Sequence, residues 1–200
     1  MKGEGALRVA HFSDLHYGPR NLDEADRCFA AAIERALALG VQAAVISGDS
    51  TDHALDLHSP AAVALVSRVR CLADHCPVLM LQGTWSHEPP GTLSVFRELG
   101  GRYPVHVADR IGQVGLSAAG RWVASTGWCF ERLPEGLRAL VSCLPTVNRA
   151  AVAAAAGAAD AASATGEHIA ALLRGLAPVH AQARALGLPT LLVSHGTVFG

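Results

Sequence analysis

Lysine is almost absent from this chain: Lys2 is the single one in 200 residues, and every other basic side chain is an arginine. Aromatic residues make up only 5%, and 16 lysines and arginines stand against 17 aspartates and glutamates, for a formal net charge of −1. A balance of this kind leaves no broad basic footprint and excludes a protein that holds nucleic acid by charge alone. No apolar run approaches the ~20 residues of a membrane span, and Met1-Lys2-Gly3-Glu4-Gly5 leads straight into a strand-like run with no signal-peptide core. The cysteines, Cys28, Cys71, Cys76, Cys129 and Cys143, form no Cys-x-x-Cys pair and are odd in number. Reduced, mostly buried thiols in a soluble, cytoplasmic protein without membrane contact are therefore expected. Half of the residues are hydrophobic, enough for one α/β domain over 1–200 with its own core.

What is present is a set of short apolar runs that stop at aspartate or histidine. Val45-Ile46-Ser47 stops at Gly48-Asp49, which puts a carboxylate, freed by glycine, in the loop after a buried strand, where open α/β sheets keep their chemistry. Val9 to Ser13 stops at Asp14-Leu15-His16, Val78 to Gln82 at Gly83-Thr84-Trp85-Ser86-His87-Glu88, and Leu191 to Ser194 at His195. Strand ends that carry Asp and His in this way read as a metal site. Asp14 and His16 stand at i and i+2, which point the same way on an extended strand end. Asp49 has two carboxylate oxygens and can bridge two ions at the ~3.5–4 Å separation used for displacement at phosphorus.

The periodicity gives a strand over Leu7 to Ser13, then a helix from Asn21 with Ala25, Cys28, Phe29, Ala32, Ile33, Ala36 and Leu37 on its core face. Asn21 is expected to cap it with Glu24 reaching back, and Gly40 to end it. A strand over Val41 to Ser47 completes a parallel βαβ unit. A helix over Pro60 to His75, a strand over Pro77 to Gln82, a short helix over Thr92 to Leu99 and a strand over Tyr103 to Val107 follow. From Ile111 to Cys129 the glycines at 112, 115, 120 and 127 suit antiparallel strands that begin a second sheet. Asn148 to Gly187 is alanine-rich, interrupted by Gly157, Gly166, Gly175 and Pro178, and reads as two or three packed helices. Leu188 to Ser194 is the strand that delivers His195.

These motifs together resemble the calcineurin-like metallophosphoesterases, most closely their DNA-repair exonuclease branch. That family's pattern is Asp-x-His, Gly-Asp, Gly-Asn-His-Asp/Glu, a histidine after a strand, and Gly-His-x-His. Asp14-Leu15-His16, Gly48-Asp49 and Ser194-His195-Gly196 match in order along nearly the whole chain. The resemblance implies an α/β fold, a four-layer α-β-β-α sandwich of the metallophosphoesterase type with the C-terminal part of its second sheet missing. It also implies phosphoester hydrolysis with two divalent ions. Mixed Asp and His ligands favour Mn²⁺, then Fe²⁺ or Zn²⁺. Asp14, His16, Asp49 and His195 would be metal ligands and His87 the catalytic histidine. DNA would be the substrate, an SMC-type ATPase the partner, and a homodimer is allowed.

Two departures qualify it. The family's Gly-Asn-His is spread over Gly83-Thr84-Trp85-Ser86-His87-Glu88, two residues longer, so Ser86 stands before the histidine as a substitute ligand. The chain also stops before a Gly-His-x-His, so an incomplete domain with weak Mn²⁺ binding and an unpaired sheet edge is expected. Hydrolysis of small phosphoesters and a non-catalytic interaction domain are the competing functions. In the loop Ser50 to Ser59, His53 is either a second histidine near the substrate phosphate or part of a solvated loop, with His58 beside it. Trp85 either stacks on a base or is buried. His75, His106, His168 and His180 read as structural.

Overall fold

Strands β1 (Val9–Phe12) and β2 (Ala43–Ile46) pair in parallel, Val9 opposite Ala43 and Phe12 opposite Ile46. Strands β3 (Val78–Leu81) and β4 (Val105–Ala108) extend the same parallel sheet in the order β1-β2-β3-β4. The computed structural model describes residues 6–99, 101–146 and 161–196. Every residue of β2 and β3 is buried, the mark of strands covered on both faces. One face carries Ala44, Ile46, Val78 and Met80 against Phe29, Ile33 and Ala36 of α1 (Leu22–Ala38) and Leu65, Val69 and Leu72 of α2 (Pro60–Ala73). With the period of two that a strand imposes, Val45, Leu79 and Leu81 point the other way, onto Val114, Val141, Cys143 and Val193 of a second sheet.

That sheet has the order β6-β5-β7-β8, built from β5 (Gly112–Ser117), β6 (Trp122–Ala124), β7 (Leu137–Leu144) and β8 (Thr190–Ser194). Strand β5 is antiparallel to β6 and β7, while β7 and β8 run parallel with Leu144 opposite Ser194. Its outer face places Leu137 and Leu140 with Phe130 and Leu133 against Val179 and Ala183 of α3 (Ala161–Ala185). The result is a mixed α/β fold in which helices cover the outer faces of two stacked sheets. No helix among the described residues is long and apolar enough to cross a membrane.

Several expectations need correction. Strand β7, which joins β5 to β8, lies in a stretch for which no element was expected. Its Leu-Arg-Ala-Leu-Val-Ser-Cys-Leu run is buried at nearly every position, so it carries no alternation to betray it. The expected two or three helices are, among the described residues, one 25-residue helix that contains Gly166, Gly175 and Pro178; residues 148–160, with Gly157, lie outside the described residues. Gly175 does not interrupt this helix but admits a neighbour, since a Cβ there would lie 2.4 Å from Trp128 Cη2. The segment Thr92–Glu98 is a 3-10 helix. Asn21 makes no side-chain cap, and Asp23 and Glu24 instead place negative charge at the positive end of α1. Cys28 and Ala32 are exposed, off the core face, and line a cavity of about 570 Å³ beside β1. Among the cysteines Cys76 and Cys143 are buried and all are free thiols. Burial pushes these two up to about 11 and about 12.

A buried tyrosine ties the two helices to the loop after β1. The fully buried Tyr17 donates its hydroxyl to Asp26 Oδ1 of α1 (3.0 Å). Arg68 of α2 clasps the same carboxylate through Nε (2.8 Å) and Nη2 (2.6 Å). The Arg68 hydrogen bonds hold the Asp26 carboxyl below its usual range, with Tyr17 adding to the effect against a desolvation that opposes it. A carboxylate with a lowered folded-state pKa contributes stability that is complete above its ordinary value of ~4 and is lost as pH falls through the folded value. Asp26→Asn should therefore cost about 1–2 kcal/mol at pH 7, with the difference from wild type shrinking in urea unfolding curves taken at progressively lower pH below ~4.

Candidate functional site

Because β1 to β4 are parallel, their C-terminal ends share one edge, and the loops after β1 and β2 leave it side by side. Backbone hydrogen bonds continue the ladder past the strands, from Asp14 N to Gly48 O (3.1 Å), His16 N to Asp49 O (2.9 Å) and Tyr17 N to Ser50 O (3.0 Å). Asn21 Nδ2 adds a bond to His16 O (2.9 Å). The non-glycine residues with positive φ among the described residues are Asp14 (55°), His16 (46°) and Asp49 (50°). Left-handed backbone at a non-glycine residue costs roughly 1–3 kcal/mol and persists only where the surroundings enforce it.

Two groups of ligand atoms meet here. His16, Asp49 and His87 bring one ligand atom each within 4.8 Å of one another, and so do Asp14, Asp49 and His195. Asp49, common to both, is 5% exposed. Its Oδ1 accepts from Thr84 N (2.7 Å) and Thr84 Oγ1 (3.0 Å), and its Oδ2 lies 3.3 Å from His195 Nε2. His195 Nδ1 donates to Ser47 O (2.7 Å) and His87 Nδ1 to Asp52 O (2.6 Å). A carbonyl only accepts, so each Nδ1 carries a proton and Nε2 is the nitrogen left for a ligand, the arrangement by which outer partners orient ligating histidines. The His16 and His87 rings meet edge to face, centroids 4.7 Å apart, and Asp14 Oδ1 lies 3.8 Å from His16 Nε2.

The donor set fits divalent cations. Asp14 and Asp49 pair with no arginine or lysine among the described residues, and His16 Nδ1 is buried without a hydrogen-bond partner. Two carboxylates and three imidazoles, with no thiolate, match Mn²⁺, Fe²⁺ or Zn²⁺ rather than a sulfur-bound ion.

Glycines and a buried glutamate allow the loops to come so close. A Cβ at Gly48 would lie 2.6 Å from His195 Nδ1, and one at Gly83 would lie 2.2 Å from both Asp49 N and Oδ1. The fully buried Glu88 accepts from Ser50 N through Oε1 (2.5 Å) and from Gly83 N through Oε2 (2.6 Å), which joins the loops after β2 and β3. Burial pushes its carboxyl above the usual range, and these two N–H groups oppose that shift. Thr51 Oγ1 donates to His87 O (2.9 Å) and fixes the histidine from the other side.

Of the residues singled out from the sequence, Asp14, His16, Asp49, His87 and His195 come together. His87 stands with His16 and Asp49 in one group, and Asp14 with Asp49 and His195 in the other. Ser86 is exposed and bonds only to Thr84 Oγ1 (3.4 Å) among the described residues. The reason lies in the two extra residues, which form a turn closed by His87 N and Glu88 N on Thr84 O (3.1 and 2.7 Å). Trp85 and Ser86 are its tip, and Thr84, directly after Gly83, touches Asp49 instead. His53 is exposed with Nδ1 3.3 Å from Asp52 Oδ2, His58 is exposed, and neither belongs to a ligand group. His75, His106, His168 and His180 are outside both groups as well. Trp85 is 46% exposed, against the buried reading. Thr84 and Glu88 were missed, although Thr84 follows Gly83 as Asp49 follows Gly48.

Compared with known proteins, the chain matches no family model and no curated protein sequence.

Gly83→Ala, which puts a methyl group into Asp49, should weaken Mn²⁺ binding at least about tenfold in calorimetry while far-UV circular dichroism keeps the wild-type spectrum. Thr84→Ser, which keeps the hydroxyl, should bind Mn²⁺ as wild type does.

Proposed function

We propose that the chain is a metal-dependent phosphodiesterase that cleaves DNA in the cytoplasm. The observation that supports this best is the pair of ligand groups sharing one buried carboxylate, Asp49. In this reading the stacked sheets and their helices are the α-β-β-α sandwich of the metallophosphoesterase type that the sequence motifs resemble. Asp14, His16 and His195, gathered around the shared Asp49, would hold two ions, and His87 would stand beside them as the catalytic group. Bound Mn²⁺ would supply Lewis acidity toward the phosphoryl oxygens and activation of the attacking water.

The protein's own groups do the rest. Asp49 is held in place by Thr84, and the loops around it by Glu88. His87, fixed through Nδ1 on Asp52 O and through its carbonyl on Thr51, presents Nε2 to the centre. From there it contacts a phosphoryl oxygen or, when protonated, gives its proton to the leaving oxygen. A chain of net charge −1 gains from a second protein that holds the duplex, and an SMC-type ATPase, the partner that the resemblance implies, meets that need.

Cleavage of supercoiled plasmid and of bis(p-nitrophenyl) phosphate, assayed side by side with Mn²⁺ and with EDTA, tests this. Metal-dependent cleavage of both is expected, and absence of turnover on either substrate would sink the proposal. His87→Ala should lower turnover by about 10²–10⁴ with Mn²⁺ stoichiometry kept, whereas Asp49→Ala should lose both ions. Equal loss of metal in the two variants would make His87 a ligand instead.

A further inference from the structure

The turn formed by the two extra residues places an exposed tryptophan on the rim of the metal-ligand cluster. Trp85 follows Thr84, which bonds to Asp49, and precedes His87 by two positions. It lines a cavity of about 290 Å³ together with Gln82, Pro90, Arg110, Pro145 and Thr146. This cavity adjoins the site through the backbone, because Thr146 Oγ1 donates to His195 O (3.3 Å) and Thr146 N to Gln82 O (3.5 Å). Arg110 follows β4 on the edge that carries Asp14, Asp49 and His87. The neighbouring Asp109 is paired with Arg97 (2.6 Å), and Arg110 itself makes no hydrogen bond or ion pair among the described residues. Arg110 also lines a second cavity of about 360 Å³, together with Arg97 and His106.

An exposed indole and a guanidinium without a partner among the described residues line one cavity, and these are the two elements of single-strand recognition: an aromatic face for a base and a cation for the phosphate that follows it. Bases within a duplex are stacked on each other and offer no free face to Trp85. We infer that Trp85 and Arg110 form a subsite for the nucleotide next to the scissile phosphate of a single strand, with the indole on the base and the guanidinium on a backbone phosphate. This rests on the phosphodiesterase reading and adds to it the form of nucleic acid that the rim accepts.

The test is fluorescence anisotropy of a labelled oligodeoxythymidylate with the full chain in EDTA, which needs no turnover. Trp85→Ala should weaken binding about tenfold or more. Arg110→Ala should lower the slope of log affinity against log salt by about 0.7, the value for one phosphate contact on a single strand. Trp85→Phe should retain binding but lose the quenching of tryptophan fluorescence that the oligonucleotide causes in wild type. Both side chains are exposed, so circular dichroism should report an intact fold in every variant. Wild-type affinity in Trp85→Ala, an unchanged salt slope in Arg110→Ala, no binding by wild type, or tighter binding of a duplex of the same length would each overturn the subsite. The phosphodiesterase reading fails separately, if wild type with Mn²⁺ leaves bis(p-nitrophenyl) phosphate intact.

Discussion

The hydrogen-bond ladder between the loops after β1 and β2 is the constraint on which the site depends. By continuing strand pairing beyond the last regular residues, through Asp14 N, His16 N and Tyr17 N, it forces a backbone that would otherwise relax into a strained course. Tyr17 closes this zipper in the core, and its bond to Asp26 passes the restraint to α1 and, through Arg68, to α2. Asp14 and His16 are thus held from below by two helices and from the side by a neighbouring loop. Few of the groups that set their geometry belong to the Asp and His cluster itself.

From the second sheet comes one further side chain, His195. It arrives at the end of β8, whose register with β7 puts Ser194 opposite Leu144, and it crosses the gap between the sheets to bond Ser47 O. That crossing is open only because residue 48 has no side chain. The interior packing of Val45, Leu79 and Leu81 against Val141, Cys143 and Val193 sets the spacing of the sheets, so the distance from His195 to Asp49 is fixed by the hydrophobic core. Among the described residues β1 and β8 lie at the edges of their sheets, and Val9, His11, Leu191 and Leu192 line a cavity of about 320 Å³ between them.

Much of this was legible before any coordinates. Short apolar runs with an Asp or His shortly after their ends located β1, β2, β3 and β8, because a buried parallel strand has one composition and one way to end. Strand β7 escaped since it has neither alternation nor a ligand at its end, and a run buried on both sides looks the same in a sheet or a helix. The unbroken course of α3 through Gly166, Gly175 and Pro178 escaped because glycine and proline read as punctuation, whereas Gly175 answers to the bulk of Trp128. At the site, an alignment of residue types pointed to Ser86, but an insertion that closes into its own turn leaves the flanking positions where they were. The contact to Asp49 therefore stayed with Thr84, next to its glycine. Glu88 was unreadable for a different reason: its role is to accept two backbone N–H groups, and no side-chain pattern records that.

The three left-handed residues carry an evolutionary consequence. At Asp14, His16 and Asp49 a glycine would relieve backbone strain, so at these positions the replacement that best suits the fold is one that removes an Asp or His from the cluster. Selection for folding alone would therefore drift toward glycine at these positions, and the aspartates and the histidine stand there against the preference of the backbone they occupy.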